Sequence, residues 1–384
     1  MSYFQSCTIN GGNSAFKQSF VDTGIKANLG DTIRVIVHPK MLWANGQGNI
    51  VNANGLDSKG GYTPTSGPDP KKEKPEWIKS EHYRFPDGAV VGTWNDGESF
   101  IPIGQFCDFC VTSDMVRLKP ENETSFKLAV WGNGGANQVN IPGANVAIWH
   151  GRAVQRFDFT KYNNPDFWIE DAKNRPNKTR YAGAFDVHAR FNSVNANWAN
   201  TAWQDGQRSL KKTNIPVKVG EIITIVTDFH DSWNIAGNIP VSPCGQLLEY
   251  VGDEADQAWG ASSVLNGFRY AVGALCGTLD SGKWAQRTYF PVGSYLRMTA
   301  LVEGSLELCM WDVDCENNGG TLTAYVSTSN YHGFEGYELG KAISTDLTDW
   351  GWNANTGSWN LVGASHNGTG EPFWDDVRER VLSN

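Results

Sequence analysis

An internal repeat constrains this chain more than any other feature of its sequence. Residues 21–43 read VDTGIKANLGDTIRVIVHPKMLW, and residues 211–233 read KKTNIPVKVGEIITIVTDFHDSW. The two segments align without a gap at a separation of 190 residues, so that Trp43 matches Trp233. Three more pairs follow in the same order with small insertions, namely GAVVG with GALCG, PIG with PVG, and KLAVW with ELCMW. Four matches in one order predict that a domain is duplicated within the chain.

The repeated segments predict β-strands. IRVIV and ITIVT are runs rich in β-branched residues that follow a Gly-Asp or Gly-Glu turn, which is typical of a strand. GAVVG and GALCG are short apolar runs bracketed by glycines, as expected where a strand packs closely against another layer. The chain has 42 glycines and only 19% charged residues, a composition of strands and turns rather than long helices. We therefore predict an all-β fold built from two β-sandwiches.

The repeat also predicts how the chain is divided. The first sandwich is expected over 1–150 and the second over 206–330. Between them, 151–205 is rich in aromatic residues and Asn, and we expect either a connector with strands of its own or an insertion packed on one sandwich. A turn-rich extension, 331–384, is expected to end in a short helix, because three apolar residues recur at helical spacing. These residues are Trp374, Val377 and Val381.

Charge and hydropathy exclude two classes of partner. The net charge is −9 and no long basic block is present, which argues against a nucleic-acid-binding protein. No segment approaches the roughly 18–20 apolar residues of a membrane span. The N-terminal sequence MSYFQSCTINGG has neither the basic start nor the apolar run of a secretory signal. We expect synthesis in a cytoplasm, and release by another route, such as lysis, if the protein acts outside the cell.

The cysteine and histidine patterns do not point to an enzyme. Seven cysteines form an odd number in a long chain and do not suggest a disulfide framework. Cys107 and Cys110 form CDFC, but a zinc site requires a second such pair, which is absent from the sequence. Two alternatives stay open for this pair: a position on a strand edge, or a disulfide with a neighbouring chain. The sequence contains no HExxH, GxSxG, P-loop or dinucleotide fingerprint, so we predict a protein that is not an enzyme.

The sequence WDVDCENNGG, residues 311–320, is the strongest candidate for a binding loop. Its polar residues offer carboxylate and amide oxygens on one short segment, and Ca2+ prefers such hard oxygen ligands. These residues are Asp312, Asp314, Glu316, Asn317 and Asn318. The same residue types also form ordinary hairpin turns, because Asp and Asn side chains hydrogen-bond to their own backbone. From the residues alone, a calcium site and a polar turn both remain possible.

The order of the repeated segments resembles the PA-I-like galactophilic lectin family, which consists of small bacterial jelly-roll β-sandwiches. The features that carry the resemblance are GD-x-I-x-V-x-V or its equivalent, a Trp thirteen residues after that Gly, a GAL-V-G-like run, PVG, and a strand that leads into a D…NN-G loop. The second copy carries all of these features over about 211–328, and the first copy carries all but the last. The resemblance implies two tandem jelly-roll domains that bind carbohydrate.

The resemblance also assigns a calcium site to the second copy. In this family the last loop, with a backbone carbonyl that follows the Trp, holds one Ca2+, which itself coordinates two neighbouring hydroxyls of galactose. The family's aspartate corresponds to Asp312, its paired asparagines to Asn317 and Asn318, and the carbonyl ligand falls near Ala236. Asp314 is a further candidate ligand without a clear counterpart, since this loop is about two residues shorter.

The resemblance places a sugar-binding loop in the sequence GDEADQAWG. The family's sugar-contacting Gln corresponds to Gln257, and the His that neighbours it in the family is absent here. We therefore predict that the ligand is contacted by Asp256, Gln257 and Trp259, together with Asp312 and Asn317 of the calcium loop.

The first copy has no comparable loop. Its sequence after the last matched strand is WGNGGANQVN, residues 131–140, in which no carboxylate follows Trp131. We predict a structural sandwich without a metal ion there. The Trp residues at matching positions of the repeat are expected in the two cores. These residues are Trp43, Trp131, Trp233 and Trp311.

Two functions are expected from this reading. The first is glycan adhesion, with a host cell-surface polysaccharide as the partner and a phage particle as the setting. The second is a structural virion role, as a capsid decoration, collar, baseplate or fibre protein, in which the sandwiches contact other virion proteins or further copies of the chain.

Overall fold

A computed structural model describes most of the two repeated segments. The described residues are 3–37, 42–45, 48–56, 64–66, 84–94, 97, 100–116, 125–132, 144–151, 179–194, 210–228, 231–246, 248, 262–265, 268–280, 288–312, 315–329, 352–353 and 358–359.

The prediction of an all-β fold is confirmed, because the described residues form strands and, apart from turns, only one short 3-10 helix at Ser113–Met115. The strands are β1 (Tyr3–Ile9), β2 (Val21–Ile25), β3 (Thr32–Val37), β4 (Trp43–Ala44), β5 (Ile50–Val51), β6 (Pro64–Ser66), β7 (Arg84–Pro86), β8 (Val90–Thr93), β9 (Ile101–Pro102), β10 (Phe106–Cys110), β11 (Phe126–Val130), β12 (Ala144–Gly151), β13 (Thr179–His188), β14 (Lys211–Val217), β15 (Ile222–Val226), β16 (Trp233–Ile235), β17 (Ile239–Val241), β18 (Ser262–Leu265), β19 (Phe268–Ala271), β20 (Leu275–Asp280), β21 (Thr288–Pro291), β22 (Tyr295–Thr299), β23 (Gly304–Met310), β24 (Thr321–Ser329), β25 (Trp352–Asn353) and β26 (Ser358–Trp359).

One eight-stranded sheet runs through both copies, in the order β1-β12-β3-β10-β22-β15-β24-β13. Each copy adds a four-stranded sheet of its own, β2-β11-β8-β9 in the first and β14-β23-β20-β21 in the second. Two-stranded ribbons form from β4 with β5, β6 with β7, β16 with β17, β18 with β19, and β25 with β26. We call the residues from β1 to β12 the first half and those from β13 to β24 the second half.

Matched residues of the repeat make matched hydrogen bonds. The indole Nε1 of Trp43 donates to the carbonyl of Gly88 at 2.9 Å, and that of Trp233 donates to the carbonyl of Gly273 at 2.7 Å. The same duplication appears in two threonine hydroxyls. Thr23 donates to the carbonyl of Phe126 on β11, and Thr213 donates to the carbonyl of Leu306 on β23, both at 2.6 Å. Corresponding sequence segments therefore occupy corresponding places.

The two halves meet at a seam between β10 and β22, which pair antiparallel. Opposite each other along the seam are Cys107 with Met298, Asp108 with Arg297, and Phe109 with Leu296. In the first half, the strands run from the sheet edge to the seam in the order β1, β12, β3, β10. In the second half, the matching strands occur in the reverse order, β22, β15, β24, β13, from the seam to the opposite edge. An approximate twofold axis therefore passes through the seam.

The charged residues at the seam are buried. Arg34, on β3, is 1% exposed, and Asp108, on β10, is fully buried. The Nε of Arg34 donates to Oδ2 of Asp108 at 3.0 Å, and its Nη2 donates to the same oxygen. From the second half, the Tyr295 hydroxyl donates to this oxygen at 3.2 Å, and the Arg297 guanidinium lies 5.1 Å from the ring of Phe106. Both halves thus contribute to one buried polar cluster.

One core cluster lies between the eight-stranded sheet and the two smaller sheets, and a second, separate cluster contains Trp131 and Trp311. Trp131 and Trp311, which follow the last matched strands, are buried at 1% and 0% exposure in aromatic clusters. The ring of Trp311 meets the rings of Tyr270 and Tyr289 edge to face, with centroids 4.9 and 5.4 Å apart. The expected burial of all four matched Trp side chains is confirmed. Trp311 therefore fixes the start of the candidate binding loop.

Three further expectations from the sequence concern the connector, the CDFC pair and the C-terminal helix. The range 151–205 contains β13, which pairs with β24 and completes the second half of the large sheet. The strand-edge position proposed for the CDFC pair is wrong, because β10 lies between β3 and β22. The predicted C-terminal helix lies outside the described residues. Within the described part of the chain, no helix has the length and apolar character needed to span a membrane.

Candidate functional site

The candidate site begins where β23 ends. The backbone N–H of Trp311 donates to the carbonyl of Ala274 at 2.8 Å, and the N–H of Gly273 donates to the carbonyl of Trp311 at 2.9 Å. These bonds tie the strand end to the turn before β20. The next residue, Asp312, therefore leaves the sheet from a fixed position.

Asp312 and Asn318 meet across the loop. They are 7% and 5% exposed, respectively. The amide Nδ2 of Asn318 donates to Oδ2 of Asp312 at 2.9 Å and lies 3.4 Å from the hydroxyl of Ser193. The N–H of Asn318 donates to the carbonyl of Cys315 at 3.2 Å, which closes the turn between them. The loop thus brings together the two side chains that were predicted to share a metal ion.

The remaining side-chain oxygen of Asn318 has an unusual environment. Its Oδ1 is buried and has no hydrogen-bond partner among the residues that the structure describes. Leaving a buried acceptor unsatisfied costs about 1–3 kcal/mol, so such an atom calls for an explanation. It is an oxygen of the kind that calcium accepts, and it belongs to the side chain that already contacts the Asp312 carboxylate.

A second turn packs against this loop. The N–H of Gly237 donates to the carbonyl of Asn317 at 2.7 Å, and Asn234 and Gly319 exchange two backbone hydrogen bonds of 2.7 and 3.1 Å. Ala236, in this turn, has a positive φ of 47°, a conformation that L-residues rarely adopt. The structure therefore places the turn of Ala236 beside the segment from Asn317 to Gly319.

The other predicted site residues divide into two groups. Asn317 and Glu316 are exposed on the loop. Asp314 of the same loop and three residues of the predicted sugar-binding loop lie outside the described residues, namely Asp256, Gln257 and Trp259. Their assignments remain predictions.

The described ligand set fits a calcium ion by its chemistry, although it has few charges. Among the described residues, no group of three His, Cys, Asp or Glu side chains converges as a metal site. The candidate set instead combines one carboxylate, from Asp312, with amide and backbone oxygens. All of these are hard oxygen ligands, which calcium uses and softer metals do not favour.

The first copy differs at the matching position. Gly132 stands where the second copy has Asp312, with a φ of 110°, and its carbonyl accepts a hydrogen bond of 2.6 Å from the Ser14 hydroxyl. A side chain at Gly132 would overlap Oδ1 of Asp87, which is buried. In the first copy, the Asp87 carboxylate, from the turn between β7 and β8, therefore lies where the second copy has the side chain of Asp312. Sequence reasoning missed Asp87, because its matching residue in the second copy is Val272 and nothing in the repeat marks it.

Comparisons with known proteins give a distant likeness to a solved structure. No protein-family model matches the chain, and no curated protein matches it. Among solved structures, the chain is similar to one described as "EclA N-terminal domain; PllA-like lectin", with 20% sequence identity and a TM-score of 0.22. The match covers 40% of this chain and 98% of that chain. The chain therefore has a lectin domain among its structural neighbours.

Proposed function

We propose that this chain is a non-enzymatic carbohydrate-binding protein whose second half binds a glycan with the help of Ca2+. The observation that carries the proposal is the buried pair of Asp312 and Asn318, in which the Asn318 Oδ1 lacks a hydrogen-bond partner within the described part of the chain. A cation between these side chains would neutralise the carboxylate and satisfy that oxygen.

The proposed ligands come from both sides of the loop. Asp312 supplies the carboxylate, Asn318 an amide oxygen, and the turn beside the loop the carbonyl of Ala236. Asn317, exposed on the same segment, supplies a second amide oxygen, and Asp314 a second carboxylate. The ion would contribute free coordination positions for two neighbouring hydroxyls of a sugar.

Asn318 has two roles in this proposal. Without an ion, its amide N–H groups offset the charge of the Asp312 carboxylate, to which Nδ2 donates at 2.9 Å. With an ion present, the carboxylate is neutralised directly and the amide oxygen becomes a ligand. Because the protein already satisfies part of the carboxylate, we expect calcium binding to be moderate. A single shallow sugar site commonly has a Kd in the millimolar to micromolar range, or roughly −4 to −8 kcal/mol.

Calorimetry of the full chain tests the metal site first. CaCl2 titrated into EDTA-treated protein is expected to give a saturable signal, which Asp312→Asn and Asn318→Ala abolish. Glu316→Gln is the matched control, since it removes a charge from an exposed position on the same loop. Equal loss in Glu316→Gln would mean that the general negative charge of the loop, and not the buried pair, attracts the ion.

A glycan array then tests the sugar. Binding is expected in CaCl2 and is expected to disappear in EDTA or in Asp312→Asn. Glycan binding that persists in EDTA would reject the role of calcium, and an array without signal at any calcium concentration would reject the carbohydrate ligand.

A structural role on a virus particle is the second candidate. The continuous sheet through both halves, with its buried polar seam, suits a rigid building block that contacts neighbouring proteins through its surfaces. Glycan adhesion and this role are compatible, because many weak sites on one particle gain strength together. A chain that binds no sugar but co-assembles with particles would favour the structural role alone.

A further inference from the structure

Two cysteine thiols meet where the two halves of the molecule join. Cys110 is the last residue of β10 in the first half, and Cys244 lies in the turn that follows β17 in the second half. Their sulfur atoms are 3.2 Å apart, although 134 positions separate them in the chain. Both residues are buried, at 1% and 0% exposure.

The backbone of both halves holds the thiols together. The N–H of Ser113 donates to the carbonyl of Cys244 at 2.9 Å, which ties the chain just after β10 to the turn of the second half. The hydroxyl of Ser294 lies 3.4 Å from the Cys110 sulfur and 3.7 Å from the Cys244 sulfur. A side-chain carbon at Gly293 would lie 3.1 Å from the Cys244 sulfur, so the surroundings leave little room for the sulfurs to separate.

We propose that Cys110 and Cys244 form a disulfide that joins the two halves covalently when the protein meets a small oxidant such as hydrogen peroxide. The site is packed too closely for a bulky disulfide reagent to reach it in the native state, whereas a molecule of the size of peroxide can reach a buried sulfur during small fluctuations. The proposal is independent of the proposed function, because it rests on the seam and not on the calcium loop.

The reaction balances with peroxide as the only co-reactant. The Cys244 thiolate attacks one oxygen of hydrogen peroxide, the O–O bond breaks, and the departing hydroxide takes a proton to leave as water. The resulting sulfenic acid is attacked by the Cys110 sulfur; the S–S bond forms, and the second oxygen leaves as water with the proton of the Cys110 thiol. Two thiols are oxidised and one peroxide is reduced to two waters.

The surroundings favour Cys244 as the attacking thiol. Burial raises the pKa of the Cys244 thiol, but its hydrogen bonds with Cys110 and Ser294 outweigh burial and lower the pKa below its usual value. Burial and the neighbouring Cys244 raise the pKa of the Cys110 thiol. A thiolate therefore forms more readily on Cys244, with a protonated thiol beside it.

A second pair of neighbouring cysteines provides the comparison. Cys276 and Cys309 are cross-strand partners on β20 and β23, and both are buried. They belong to the same four-stranded sheet, so a disulfide between them would not connect the halves. The proposal therefore predicts a disulfide between Cys110 and Cys244 and none between Cys276 and Cys309.

The test uses the full chain treated with hydrogen peroxide under native conditions, then denatured and assayed for free thiols. The count is expected to fall from seven to five, and peptide mapping without reductant is expected to find one linked peptide containing Cys110 and Cys244. Dithiothreitol should restore all seven thiols. The thermal unfolding midpoint of the oxidised protein is expected to rise, because the cross-link closes a long loop in the unfolded chain.

Substitutions separate the proposal from general oxidation. Cys110→Ala and Cys244→Ala are each expected to abolish the cross-link and the rise in the unfolding midpoint, while Cys276→Ala retains both. Where a seam variant is unstable, Cys110→Ser replaces Cys110→Ala and the mapping is repeated. A count that stays at seven, a link between Cys276 and Cys309, or conversion of Cys244 to sulfinic or sulfonic acid without a link would overturn the proposal.

Discussion

Removing the Asp108 carboxylate is expected to destabilise the whole molecule. Asp108 is fully buried and accepts two hydrogen bonds from Arg34, one of them 3.0 Å long, and one from the Tyr295 hydroxyl. In Asp108→Ala the Arg34 guanidinium, which is 1% exposed, loses its carboxylate and cannot reach water. Breaking a buried pair in this way costs about 3–5 kcal/mol, so we expect a loss of that size.

Replacing both members of the pair tests the reason for this loss. In Arg34→Met with Asp108→Leu, no charge of the pair remains in the core, and apolar side chains of similar volume fill the space. Such replacements are commonly neutral or stabilising. Arg297, which is 8% exposed and lies opposite Asp108, still loses a neighbour of opposite charge. We therefore expect the double variant to recover most, but not all, of the stability lost in Asp108→Ala.

Guanidinium unfolding followed by tryptophan fluorescence measures both effects. The control is Asp186→Ala, which removes an exposed carboxylate that accepts one hydrogen bond, of 2.8 Å, from Thr323 on the neighbouring strand. It is expected to change the free energy of unfolding by less than about 0.5 kcal/mol. If Asp108→Ala costs no more than this control, or if the double variant is as unstable as the sum of the single variants, the account of the seam is wrong.

Three further predictions concern the core, the 3-10 helix and the loop at 311–320. Trp43→Phe and Trp233→Phe each leave a buried glycine carbonyl without its indole donor. In chemical denaturation, each is therefore expected to lower the free energy of unfolding by at least about 1–3 kcal/mol. A large difference between the two variants would contradict the equivalence of the two positions. Burial raises the pKa of the Asp114 carboxyl from 3.8 to about 6, so the folded state holds this proton more tightly than the unfolded chain. The stabilisation is complete below pH 3.8 and is lost as pH rises through about 6. When the free energy of unfolding is measured against pH, Asp114→Asn should remove this dependence, which is worth about 1–3 kcal/mol. An unchanged profile would refute the assignment. Calcium at about one hundred times its Kd should stabilise the protein by about 2.7 kcal/mol in a thermal shift assay, and Asp312→Asn should eliminate this shift while lowering the calcium-free midpoint only modestly.

The repeat predicted more of the fold than any single segment did. It assigned Trp43 and Trp233 to equivalent core positions, and the matched indole hydrogen bonds confirm that equivalence. Local alternation was also informative, because in β14 every second residue from Thr213 onward is buried, as its sequence suggests. Both signals can be recognised in the sequence alone, because the alternation is local and the repeat appears when the chain is compared with itself.

Pairing between the halves had no such signal. β10 reads FCDFC and is buried throughout, although it carries an aspartate that in isolation suggests a solvent-facing position. Only the approach of Arg34 from β3 and Tyr295 from β22 explains how that carboxylate is accommodated. The meeting of Cys110 with Cys244 depends on the same long-range pairing, which the spacing within CDFC does not encode.

The contact between Asp312 and Asn318 could be predicted from the sequence, but the surroundings of their loop could not. Asp312 and Asn318 are brought together as the loop sequence and the family resemblance suggested, and the turn of Ala236 lies beside them. The approach of Asp87 to the matching place in the first copy was not predictable, because this carboxylate comes from a turn whose counterpart carries Val272. The spacing of residues within a motif does not indicate which residues of other strands or turns lie beside it.

The approximate twofold axis at the seam has a consequence for how such a molecule can evolve. Asp108 and Arg297 occupy equivalent positions, each opposite the other, and each faces the matching neighbour, Arg34 or Thr224, on its other side. In a homodimer of separate subunits, the residue on the axis would face its own duplicate, and carboxylate would meet carboxylate. Two copies within one polypeptide are not subject to that constraint, so opposite charges can face each other across the axis. The loop after Trp311 can likewise change in one copy while the loop after Trp131 does not.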